Sequence, residues 1–406
     1  MLKKVLDRTL HEVRTLPRFA YVLAVITAFG LGVGFYRLAV GLESTTNLSK
    51  DFPWGIWISF DLTTVALSGG AFTLAALVYV FHMHDLHPAT RPTVLFGLLG
   101  YSAVLVILFF DLGRWDRFWH FLVYPNVNSA LFEVSWCIAL YSIVLFYEFS
   151  PAILENRGRD RLLKFIKKYT IVLVIIGVTL SSMHQSSLGT LFVIMSTRLH
   201  PLWYSMLLPV FFLVSSLAAG IALVITASIV SARLFGRTLS PRVIEKLGWF
   251  MPWLLGFYLA LKLGELLLTE ELDLLFTSGP YSVLYLVELT IGVVIPIVLF
   301  SIKKVRLSRV GSLVAALFVI AGIVINRFST SWFAMAPVDG VLYSPSWMEV
   351  AILVGVASGV LLVFTLVTRF FPVFKETVSV SPREAQPAAA VQPAAAVPAT
   401  AHQETA

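Results

Sequence analysis

Apolar residues run in long blocks along almost the whole chain. Ten blocks are expected to cross a bilayer, at roughly 19–42, 56–81, 93–113, 127–149, 169–190, 203–230, 247–268, 282–301, 309–328 and 347–371. About 20 consecutive apolar residues span a hydrocarbon core as a helix. The blocks are continuous instead of alternating, which argues against a transmembrane barrel. In lipid, every backbone polar group must find its partner within the segment, so each block is predicted to be helical. The fold class is therefore all-α: a polytopic membrane protein of about ten transmembrane helices. Prolines mark most of the gaps between blocks. Pro209 and Pro296 fall inside blocks, where they predict kinks.

The flanks differ from the blocks. The stretch 1–18 carries Lys3, Lys4, Arg8, Arg14 and Arg18 and leads into an apolar run too long for a signal-peptide core, so that run is expected to stay as the first span. The transmembrane domain is placed at 19–375. Residues 376–406 are Pro/Ala-rich and free of aromatics, the composition of a disordered tail.

Charge sets the orientation. With the N-terminus cytoplasmic, 23 of the 30 lysines and arginines fall on the cytoplasmic side, 5 on the opposite side and 2 inside spans. That bias predicts both termini in the cytoplasm. It also accounts for the net charge of +7 without nucleic acid. Seven tryptophans (54, 57, 115, 119, 203, 332 and 347) collect at the outer boundary and only Trp249 and Trp253 at the inner one, a hint that something docks outside.

Candidate chemistry follows from depth. Odd-numbered spans run outward and even-numbered ones inward. Asp61, Glu133, Lys262, Glu265 and Glu288 then all sit in the outer half, while Arg37, Asp111, Arg114, Asn326, Arg327 and Glu349 sit at its edge. Glu148, at the inner end of span 4, is the exception. Charges inside a bilayer are costly and persist where they pair, reach water or do chemistry. Asp111/Arg114 and Lys262/Glu265 have the i,i+3 spacing of ion pairs. Asp61 and Glu133 lack an opposite charge on their own helices and are the better functional candidates. In span 5 the run SSMHQSSLG (181–189) places His184 roughly 9 Å from the outer end at the helical rise. Ser181, His184 and Ser187 share a face there, beside Gln185. An imidazole at that depth suits holding or protonating a quinone carbonyl.

Redox groups are scarce. The single cysteine, Cys137, cannot hold an iron–sulfur cluster. Of eight histidines only His184 lies well inside a span, whereas a membrane haem usually takes two facing one another. The HMHDLH group (82–87) reads as a solvated turn. No haem and no cluster are expected in this chain.

Several stretches resemble one family. FPWGIWISFDL (52–62), HPATRP (87–92), NVNSALFE (126–133), EFSPAILE (148–155), MHQSSLGTL (183–191), HPLW (200–203), KLGELL (262–267) and the Trp347-Met-Glu349 start of the last span resemble the NrfD/polysulfide-reductase membrane subunits, and within them the HybB type of nickel–iron hydrogenases. The resemblance implies two four-helix bundles plus two extra helices. It implies a menaquinone or ubiquinone site near the periplasmic side of a bacterial or archaeal cytoplasmic membrane. Beside it would stand an iron–sulfur or haem partner, serving a hydrogenase, a multihaem cytochrome or a sulfur-cycle enzyme. It maps the pocket onto Asp61, Glu133, His184 and Gln185, with Ser187, Arg114 and Glu265 in support. Some hydrogenase-type relatives carry an acidic residue late in span 6; this chain reads VITASIVS (224–231) there, with none. Coupling to proton movement and, as a rival reading, secondary transport of a small anion remain open on the sequence alone.

Overall fold

The structure is a computed structural model and describes residues 16–50, 52–155, 159–235, 241–335, 342–371 and 373. The expected tail, 376–406, lies outside these residues, as does most of the 1–18 segment. Ten long helices account for the ten expected spans: α1 (Arg18–Val40), α2 (Ile56–Val80), α3 (His87–Asp111), α4 (Ala130–Leu154), α5 (Asp160–Val193), α6 (Leu208–Phe235), α7 (Pro241–Leu268), α8 (Pro280–Ser301), α9 (Arg309–Phe333) and α10 (Trp347–Phe370). Among the described residues, nine are long and apolar enough to cross a membrane. The tenth, α5, is 34 residues long, with a lysine-rich start and the polar run SSMHQSSLG in its last third.

The helices sort into two bundles and a pair. α2, α3, α4 and α5 pack together, as do α6, α7, α8 and α9, and one continuous apolar core runs through both groups. α2 and α5 both lean on α6, and α2 also touches α9, so these contacts join the bundles. α1 and α10 pack on each other and against α3. This is the arrangement expected from the resemblance.

Glycines allow the closest approaches. A Cβ at Gly30 of α1 would stand 2.5 Å from the Cα of Gly355 on α10. Gly292 of α8 and Gly322 of α9 face each other as tightly, backbone against backbone. Without hydrophobic drive between helices in lipid, such small-residue contacts supply dispersion that bulkier pairs cannot.

Wide helical turns interrupt three spans, at Ala76–Val80, Thr290–Val294 and Ser329–Phe333. The second directly precedes Pro296, which has no N–H to give and whose ring crowds the carbonyl four residues back. There the expected kink has its physical form. Pro209 behaves differently: it sits in the first turn of α6, where a missing N–H costs nothing. The HMHDLH turn includes His82 in a left-handed conformation, φ 55°.

Replacing Gly322 by Ala should destabilise the α8–α9 contact by about 1–3 kcal/mol, the usual cost of overpacking. Thermal denaturation of the detergent-solubilised protein should show a lower midpoint, with helix content at low temperature unchanged.

Candidate functional site: an unsatisfied cavity in the first bundle

α2 is held at its start by contacts to α10 and the chain before it. The Trp57 indole donates to the Glu349 carbonyl at 2.9 Å, and Tyr343 receives the Ile56 N–H at 3.1 Å while donating to Glu349. Glu349 also accepts from the Asn47 and Ser346 backbone N–H groups, the latter closing a capping box on α10. Gly55 lies so close under Tyr343 that a Cβ would clash. The stretch FPWGIW is thus a clasp that fixes the depth and rotation of α2.

One turn further in, Asp61 is buried and neither carboxylate oxygen has a hydrogen-bond partner among the described residues. Across from it, α5 presents His184 and Gln185, both fully buried. Asp61 and His184 line one cavity of about 90 Å3, together with Trp54, Leu131, Leu188 and Phe192 among others. His184 Nδ1 pairs with the Tyr101 hydroxyl at 2.9 Å, and Nε2 has no partner among these residues. When Tyr101 donates, the imidazole keeps its proton on Nε2. Gln185 donates to the Val65 carbonyl at 3.0 Å, tying α5 to α2, and its amide oxygen is left over. Ser181 lies beside both the Tyr101 and the Tyr141 hydroxyls.

A buried polar atom without a partner costs on the order of 1–3 kcal/mol, more when charged. Here Asp61 and His184 carry such atoms and line one space, and Gln185 next to His184 carries another. That is the signature of a site completed by a ligand or by water.

The other expected residues go elsewhere. Glu133 is on the first turn of α4 and exposed; its neighbours Leu131 and Val134 line the cavity instead. The Ser187 hydroxyl bonds to the Met183 carbonyl of its own helix at 2.8 Å. Arg114 does not pair with Asp111. It forms an exposed ion pair with Asp116 at 2.9 Å in the loop after α3, away from the cavity. Asp111 interacts with Arg37, which is buried and donates to the Leu112 carbonyl at 2.8 Å. Glu265 is half-buried beside Ser205, in the second bundle.

Lys262 likewise chooses a partner from another helix. Its ammonium lies 3.5 Å from Glu288 of α8 and over the Tyr285 ring at 4.9 Å, not on Glu265. Glu288 also accepts from the Trp203 indole at 2.8 Å and the Asn326 amide at 2.7 Å. Arg327 donates to Asn326, to Ser215 at 2.8 Å and to the Phe212 carbonyl at 3.2 Å. The charges of the second bundle are therefore woven together. Two of the seven boundary tryptophans, Trp57 and Trp203, are buried donors in these contacts and not part of a surface belt.

Another space opens at the opposite, basic end of the first bundle. It measures about 370 Å3 and is lined by Tyr79, His87, Arg91, Glu148 and Lys167 among others. Arg91 and Lys167 both reach Glu155, at 2.5 and 3.8 Å. Among the described residues, no group of three or more His, Cys, Asp or Glu is arranged to hold a metal.

Paired bundles of long apolar helices define a multi-pass membrane protein. The family described as "Polysulphide reductase, NrfD" matches residues 44–330, which spans α2 through most of α9 and so both bundles. The chain belongs to that family. It is 33% identical to the probable Ni/Fe-hydrogenase 2 b-type cytochrome subunit of Escherichia coli (strain K12), over 83% of this chain and 87% of that protein. It is 30% identical to the menaquinone reductase integral membrane subunit of Nitratidesulfovibrio vulgaris, over 89% and 93%. A selenate reductase subunit of Mesobacillus selenatarsenatis is 26% identical, over 90% and 96%. By their names these relatives are subunits of a hydrogenase, a menaquinone reductase and a selenate reductase.

Replacing Lys262 by Met removes the ammonium that lies on the buried Glu288 carboxylate. The expected loss is about 3–5 kcal/mol, as when one partner of a buried pair is removed. The double change Lys262→Met with Glu288→Leu should recover much of it, read as the thermal midpoint in detergent.

Proposed function

We propose that this chain is the quinone-reactive membrane subunit of a respiratory redox complex. It exchanges electrons between the membrane quinone pool and an iron–sulfur or haem partner docked at the charge-poor, periplasmic end. The membrane is a bacterial or archaeal cytoplasmic membrane, with both termini on the basic side. The observation that carries the reading is the cavity where Asp61 and His184 meet with unpaired polar atoms. Menaquinone reduction in the name of one relative supports the substrate class.

The residues divide the work by their chemistry. His184 Nε2, held by Tyr101 behind it, donates to a quinone carbonyl. Asp61 hydrogen-bonds the other polar edge and passes a proton. Each reduction consumes two electrons and two protons. The chain needs no metal of its own for this, because the electrons arrive from the partner. Replacing His184 by Gln or Asp61 by Asn should lower quinone-linked turnover of the assembled complex by about 100-fold or more, the usual share of a positioned acid–base group. Subunit assembly, read by co-purification, should not change. Full activity in both variants removes the site.

Proton coupling has a candidate route in the same bundle. Gly177 leaves room between Tyr141 and Glu148: a Cβ there would lie 3.5 Å from the Tyr141 ring and 3.6 Å from a Glu148 carboxylate oxygen. Glu148 borders the space at the basic end, and Tyr141 stands beside Ser181 on the way to Tyr101 and His184. We read this column as the path by which protons reach the quinone from the basic side. Glu148→Gln should then slow proton uptake from that side in proteoliposomes while the electron-transfer partner still docks. Uptake from that side at the unmodified rate would sever the route.

A further inference from the structure

The cavity shared by Asp61 and His184 is small. Its volume of about 90 Å3 falls well short of the roughly 300 Å3 at the lower end of ordinary small-molecule sites. A ring-sized ligand therefore needs a wall that moves. Most of that wall is buried core, where displacement forfeits packing on both sides of the side chain. Leu131 is the exception among the lining residues: it borders the cavity yet is 59% exposed. It stands on the first turn of α4, and other apolar residues along that helix, Leu140, Ile143 and Phe146, are 39–54% exposed. Apolar side chains so exposed on a membrane-spanning helix are what lipid covers. A side chain already half in lipid can swing outward at little cost.

Above this point the chain crosses from α3 to α4 through residues 112–129. Its outward side chains are apolar and aromatic: Phe118, Leu122, Val123, Tyr124 and Val127 are each more than half exposed. Its other rings tie it to both helices. Trp115 and Phe118 pack on Phe109 of α3 at 5.9 and 6.0 Å, and Phe121 packs on Trp136 of α4 at 6.1 Å. Exposed tryptophan, tyrosine and phenylalanine beside Arg114 and Arg117 are what a segment lying in the lipid headgroup boundary carries.

We propose that the cavity communicates with the lipid sideways, between α3 and α4 past Leu131, beneath a roof formed by residues 112–129 that lies in the membrane interface. The carrier's apolar tail trails through this slot into the bilayer while its polar ring faces Asp61 and His184. This rests on the quinone reading above. Leu131 is a positioning residue: it governs passage and takes no part in proton or electron transfer.

A gate alters the speed of arrival and departure together and leaves affinity alone. A residue that merely shapes the site alters affinity. The probe is an alkyl hydroxyquinoline N-oxide, whose fluorescence is quenched on binding, added to the full complex in liposomes. Leu131→Trp should slow association and release by about tenfold each, with the dissociation constant within about twofold. Leu131→Ala should speed both. Rate constants equal to the unmodified complex in both variants, or an affinity change carried by release alone, would overturn the gate while leaving the quinone site standing. No quenching by the unmodified complex would instead remove the site itself, and the gate with it.

Discussion

A bilayer core holds no water to satisfy a stranded polar group, and the rest of this structure follows from how each such group is dealt with. In the second bundle, the carboxylate of Glu288 accepts from an indole, an amide and an ammonium, and Arg327 spends its donors on Asn326, Ser215 and a backbone carbonyl. In the first bundle, Asp61 accepts nothing, and His184 and Gln185 each keep one atom unmet. The second bundle keeps unmet atoms as well, at Thr226, Ser329 and Arg327 Nε, but its carboxylate is paired. Among the described residues Asp61 is the buried carboxylate with neither oxygen met.

Holding unmet groups open requires stiff surroundings, because a pliant wall would collapse onto them. α2 supplies the stiffness. Its start is clasped through Trp57, Ile56 and Gly55 to Glu349 and Tyr343, and Phe52 stacks flat on Tyr343 at 5.0 Å. Two residues before Asp61, the Ser59 hydroxyl meets Ser331 of α9 at 2.7 Å. The Asp61 carboxyl is thereby fixed from two sides, by the Tyr343 and Glu349 clasp at the start of α2 and by the contact of Ser331 with Ser59 two residues before it. This explains why a stretch as apolar as FPWGIWISFDL can mark a polar site: its tryptophan, glycine and serine set where the aspartate points.

Much of this could be read from the chain, and the limits have a common cause. Position along each helix was legible by counting residues, and Asp61, His184 and Gln185, singled out in that way, are all buried. Rotation was not legible. α4 is apolar on nearly every side, so nothing in its pattern distinguishes the face of Glu133 from that of Val134, and the glutamate turns outward. Pairing was also opaque. The i,i+3 rule sees only one helix, whereas Lys262 found Glu288 and Asp111 found Arg37 on others. Tyr101 and Tyr141 went unremarked because buried tyrosines in apolar spans look like packing until a histidine appears opposite the hydroxyl. Tryptophans counted as a boundary belt proved to include two interior donors.

The second bundle also bears on the first. Its buried network sets two cations, Lys262 and Arg327, around Glu288, with the half-buried Glu265 also acting on Lys262. The Arg327 guanidinium lies 3.8 Å above the Phe212 ring, and Phe212 packs on Phe192 at 5.9 Å. Phe192 is a wall of the cavity. The Arg327 guanidinium thus stands behind two phenyl rings from the space that Asp61 and His184 share. Little water screens it there, and in a medium of low dielectric such a field reaches across those rings with little loss. On the proposed reading, negative charge developing on a quinone in the cavity would meet that field without any direct contact. The second bundle, although Thr226, Ser329 and Arg327 Nε in it also lack partners among the described residues, would then serve as electrostatic background to the first.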